Sequence, residues 1–120
     1  MKKIQYRKLI RDRIPQKIAR SGGSFRVRVL KTKEFEKELL KKVGEEASAL
    51  PVVESRAELI SEMTDVLDVI DEIKRVKKIT SSELAKAKRD NFKRKGGFKK
   101  RLYLHWAEDT GYRTNERRNA

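Results

Sequence analysis

Between residues 58 and 73 the chain reads ELISEMTDVLDVIDEI, an amphipathic helix with carboxylates on its apolar side. At 100° per residue from Glu58, the residues Leu59, Met63, Val66, Leu67, Ile70, Ile73 and Val76 fill an arc of about 0–180°, with Val69 at about 20°. Glu62 falls inside that arc at about 40°, and Asp65 sits at its edge near about 340°. Being three residues apart, they are neighbours on one face and should repel. The segment before it repeats the pattern. Counted from Glu45, the residues Phe35, Leu39, Val43 and Leu50 span about 80–160°, and Glu46 lies among them at about 100°. Pro51 parts the two helices with a short connection, so antiparallel packing is expected, bringing Glu46 towards Glu62 and Asp65. Clustered carboxylates in a low-dielectric seam are costly unless paired, protonated or bound to a cation. Hard divalent cations take oxygen ligands of this kind. Ion pairing with Lys and Arg is the competing explanation.

Cations are abundant, with 32 Lys and Arg against 18 acids. Residues 1–33 carry twelve Lys/Arg against one acid, and residues 80–120 carry twelve against five. The middle, 34–79, has eight against twelve. Basic flanks around an acidic centre attract polyanions, whether nucleic acid or nucleotide phosphates. Cysteine is absent, which removes thiolate chemistry and fits a reducing cytoplasm. No apolar run approaches the roughly 20 residues of a membrane span, so a cytoplasmic protein without membrane contact is expected.

The element reading is mainly α. The opening, IQYRKLIRDRIPQKIARSGG, suits a short helix or an irregular arm, with Pro15 in a first turn and Gly22-Gly23 as a stop. FRVRVL alternates Phe25, Val27 and Val29 against Arg26 and Arg28, the period of a strand, and RLYLHW is a candidate partner in a short two-stranded β element. Thr32 is the expected cap of a helix reaching Leu50. Ser55 with Glu58 and Thr80 with Glu83 have capping-box spacing and start helices over about 55–78 and 81–95. Gly96-Gly97 stops the last. Residues 1–106 read as one domain and 107–120 as a polar tail. Asp68, Asp71 and Glu72 read as a solvated face, and Asp12 as the partner of a nearby Arg.

Three segments in order carry a resemblance. GEEASAL followed by ELISEMTDVLDVI resembles the EExxE…ExxD pattern of the all-α nucleoside triphosphate pyrophosphohydrolases, the MazG-like and phosphoribosyl-ATP pyrophosphohydrolase-like proteins. YRKLIRDRIP and KRKGGF are similar to the opening and the basic Gly-Gly-Phe segment of one small subgroup. The resemblance covers about residues 4–106 and implies a MazG-like bundle, with two long antiparallel helices and a third. It implies Mg²⁺, or Mn²⁺ in its place, on Glu46, Glu62 and Asp65, with Glu45 a further candidate ligand. The reaction implied is hydrolysis of a nucleoside triphosphate, its base standard or modified, to the monophosphate and pyrophosphate. Lys8, Arg11, Arg13, Arg94 and Lys95 are the candidate substrate contacts. One departure stands out: Ala49 occupies the position of the last Glu of EExxE. It leaves three alternatives open: weaker metal binding with activity retained, fewer metals with another substrate, or nucleotide binding without catalysis.

The long helix is apolar around about half its circumference, more than one partner helix covers. A homo-oligomer, dimer or tetramer, that completes a four-helix bundle is therefore expected. The rival reading is a basic nucleic-acid-binding protein using Tyr6, Phe92, Phe98, Tyr103, Trp106 and Tyr112 for stacking. His105, the single histidine, reads as structural, and neither a P-loop nor a zinc pattern is present.

Overall fold

The computed structural model describes residues 2–113, which hold four α-helices and no strand. They are α1 (Ile14–Arg20), α2 (Thr32–Ala47), α3 (Arg56–Lys77) and α4 (Ser81–Lys95), with a 3-10 turn over Leu50–Val52. Two compact units divide the chain between Leu84 and Ala85, and α4 begins in the first and continues into the second.

Local chemistry sets the helix limits. Pro15 lies in the first turn of α1. Ser55 Oγ accepts the Glu58 N–H at 3.1 Å, and Glu58 Oε2 accepts the Glu54 N–H at 3.0 Å. At α4 the box closes reciprocally: Thr80 Oγ1 accepts from Glu83 N–H at 3.1 Å, and Glu83 Oε2 from Thr80 N–H at 3.0 Å. Each such cap contributes about 1 kcal/mol. The start of α2 differs from expectation. Thr32 is its first helical residue, Lys31 is the N-cap, and no side chain bonds there. The helix also stops at Ala47 rather than Leu50, because Pro51 has no N–H to donate and the chain tightens into the 3-10 turn. Lys78 closes α3 in the left-handed region at φ 56°, with the Ile79 N–H donating to Lys74 O at 2.9 Å.

The expected β element does not form among the described residues. Alternation describes a strand only if a neighbour supplies the ladder, and neither 25–30 nor 101–106 pairs in one. Residues 25–30 are held instead through Arg28, which donates to both Glu34 carboxylate oxygens at 2.9 and 2.6 Å in the first turn of α2. The tail reading falls partly outside the described residues, since these end at 113. Within 107–113, Asp109 accepts from Gly111 N–H at 3.0 Å and from Arg113 at 2.7 Å.

In the first unit α2 and α3 pack antiparallel. Glu36 near the start of α2 pairs with Lys77 at the end of α3 at 2.8 Å. Between this pin and the opposite end lie Leu39, Ile73 and Val76. Among the described residues Leu39 alone is buried, at 4% exposure. Phe35, Val43, Val66, Val69 and Ile70 are half-buried, and Ile60, Met63 and Leu67 are exposed. These last three recur at i, i+3 and i+7, so they form one uncovered stripe on α3. No helix among the described residues is long and apolar enough to cross a membrane.

Candidate functional site

The end of the helix pair opposite Glu36–Lys77 gathers the acids. One carboxylate oxygen each from Glu46, Glu62 and Asp65 lies within 4.8 Å of the others, and all three residues are half-buried. The cause is the register: α2 delivers Glu46 from its last turn, and the short Leu50–Val52 turn returns the chain so that the second and third turns of α3 face it. The acids are less enclosed than a seam between buried helix faces, because the stripe of α3 beside them has no cover.

Cations surround two of the three. Arg11 reaches from the opening segment to Asp65 at 3.0 Å and Asp68 at 2.9 Å. Lys42 lies 3.0 Å from Glu45 and 3.4 Å from Glu46. Lys8 meets Glu45 at 3.4 Å and stands 5.6 Å over the Tyr6 ring. Glu62 has no cationic partner among the described residues. Ion pairing thus accounts for part of the cluster and leaves its central carboxylate unpaired. The hydrogen bond from Lys42, aided by Lys8, holds the Glu45 carboxyl below its ordinary range. The Arg11 guanidinium is held above its ordinary value chiefly by the hydrogen bond to Asp68. These pairs are partly exposed, so each contributes only about 0–1 kcal/mol.

Of the basic candidates, Lys8 and Arg11 are brought to the acids. Arg13 is the N-cap of α1 and is exposed. Arg94 donates to Asn91 on its own helix at 2.9 Å, and both Arg94 and Lys95 belong to α4 beyond Leu84. Glu45 engages Lys42 and Lys8 and is not one of the three clustered carboxylates. Asp12 pairs with no Arg among the described residues; the Arg beside it, Arg11, turns to α3 instead. His105 sits edge-on to Tyr103, ring centres 5.2 Å apart. Ala49 donates its N–H to Glu46 O at 3.2 Å, one turn on, where this chain offers only a methyl group.

Two participants were not singled out from the sequence. Lys42 stands three and four residues before Glu45 and Glu46, spacing that already made it their neighbour on α2. Asp68 is exposed, as a solvated residue should be, yet it shares Arg11 with Asp65. Nothing local announces that contact, because Arg11 and Asp65 are 54 residues apart.

Three oxygen donors at this spacing suit a hard divalent cation. Ligand oxygens around Mg²⁺ at about 2.1 Å stand roughly 3–4 Å apart, closer than the 4.8 Å within which these three lie. Compared with protein families, curated proteins and solved structures, the chain matches none.

Proposed function

We propose that this chain is a Mg²⁺-dependent nucleoside triphosphate pyrophosphohydrolase of the MazG-like type, acting as a homo-oligomer. The observation that carries the reading is the meeting of Glu46, Glu62 and Asp65, drawn from the two segments that resemble EExxE and ExxD, with Glu62 left unpaired. Glu46, Glu62 and Asp65 would hold the metal, with Mn²⁺ able to replace Mg²⁺. When bound, such an ion neutralises phosphate charge and orients the triphosphate.

The chain's own residues supply the rest. Arg11 and Lys8 sit beside the acids and can exchange their carboxylate partners for phosphate oxygens, since the pairs they give up are each worth about 0–1 kcal/mol. Arg11 offers a planar fork of donors suited to two oxygens at once. A carboxylate of the cluster positions the water that cleaves between the α- and β-phosphates. The shortfall at Ala49 lowers the number of carboxylates and weakens metal binding, with activity retained. Oligomerisation is supported by the uncovered Ile60, Met63 and Leu67 stripe, which a second copy's α2–α3 pair would cover as a four-helix bundle.

Phosphorus NMR of a panel of standard and modified triphosphates incubated with the protein and Mg²⁺ tests the reaction class. Pyrophosphate and a nucleoside monophosphate are the expected products. Orthophosphate with a diphosphate, or no turnover of any member, would contradict the proposal.

A further inference from the structure

The acidic site leaves one group of residues unused. From Lys86 to Trp106 the chain carries nine Lys and Arg against one acid, Asp90, interleaved with Phe92, Phe98, Tyr103 and Trp106. All four rings face solvent: Phe98 is 96% exposed, Tyr103 83% and Trp106 79%. Lys88, Arg89, Lys93, Lys99, Lys100 and Arg101 have no carboxylate partner among the described residues. On α4, Phe92 shares its face with Lys88 and Lys95, four before and three after it. The turn that follows is shaped by Gly96, at φ 76°, and by Gly97, where a Cβ would come within 3.3 Å of the Phe92 ring.

Exposed rings interspersed with Lys and Arg, six of them without a carboxylate partner among the described residues, match a chain of alternating phosphates and bases. The cations draw the backbone, and each ring offers a face on which an unpaired base can stack. A duplex would use the charges and leave the rings idle, because its bases are already stacked. A membrane surface would call for one wide apolar helix face, and α4 offers only Leu84, Phe92 and small alanines among its charges. We propose that residues 85–113 bind single-stranded nucleic acid by phosphate pairing and base stacking, independently of the carboxylate site.

Trp106 is the single tryptophan, so its fluorescence reports on this segment alone. The full chain should be titrated with 20-nucleotide oligo(dT) and oligo(U), a duplex of equal length, and vesicles of phosphatidylserine and phosphatidylcholine. Saturable quenching by either single strand is expected, with affinity falling against salt at a log–log slope of about −0.7 per phosphate contacted. The double variant Phe98→Ala/Tyr103→Ala should weaken binding at least about tenfold, since each stacked ring is worth a factor of roughly 5 to 150. Both rings are exposed, and the ring contact that their removal breaks is the edge-on packing of Tyr103 with His105. Lys99→Gln/Lys100→Gln should lower the salt slope, and Glu62→Gln should change neither quantity. Equal affinity for the duplex, unchanged binding by the ring variant, a spectral shift with vesicles alone, or no response at all would each overturn the proposal.

Discussion

Glu62→Gln is expected to lower Mg²⁺-dependent pyrophosphate release at least about a hundredfold while leaving the fold as stable as before, or slightly more so. Losing a group that merely supports a metal ligand already costs about 10–100-fold, and a ligand itself should cost more. The stability expectation has the opposite sign because Glu62 and Asp65 are like charges three apart, an arrangement that costs roughly 0.2–0.5 kcal/mol. Glu62 forms no ion pair whose loss would offset that relief. Urea denaturation without metal should therefore give a midpoint equal to or above the wild type. Addition of Mg²⁺ should raise the wild-type midpoint and not the variant's. Asp65→Asn is a weaker test, since it also strips a partner from Arg11. A Glu62→Gln protein that loses more than about 1 kcal/mol and keeps its turnover would make Glu62 a structural residue, because removing an interaction from the fold alone moves stability and not rate.

Leu67→Glu should convert the proposed homo-oligomer to monomers and lower thermal stability sharply. Leu67 is 56% exposed and, at 100° per residue, falls between Ile60 and Met63 in the uncovered stripe of α3. Burying a side chain of this size is worth about 1.5–3 kcal/mol, and a two-fold interface counts each one twice. A glutamate at 67 would bring two charges into one apolar seam. With Leu39 the single buried side chain among the described residues, the first unit has little core of its own, so its stability should depend on protein concentration. Sedimentation velocity should place the wild type at a multiple of 14.1 kDa and the variant at one chain or in unfolded material. A wild type that sediments as a stable monomer at micromolar concentration would remove the oligomer from the account.

The parts that sequence alone disclosed are those set by short-range chemistry. The starts of α3 and α4 could be named because Ser55–Glu58 and Thr80–Glu83 each place a capping hydroxyl and its N–H donor within four residues. The acid cluster followed from angular position on two helices plus one turn at Pro51, which together leave few ways to pack. What escaped was long-range or dependent on a neighbour. The alternation in FRVRVL describes one half of a ladder whose other half is absent, and Arg28 found Glu34 instead. The reach of Arg11 to Asp65 spans 54 positions and leaves no periodic trace. Enclosure of the acids was overestimated for a related reason: an apolar arc shows what a helix can bury, while the cover is supplied by whatever packs against it.

The acids on this face are proposed to hold a divalent cation for a triphosphate. Electron paramagnetic resonance of Mn²⁺ titrated with wild type and Glu62→Gln, alone and with a non-hydrolysable triphosphate analogue, tests it most directly. Loss of the free-ion signal with the wild type, strengthened by the analogue and abolished in Glu62→Gln, is the expected result. Equal Mn²⁺ binding by both proteins, or none by either, would contradict it.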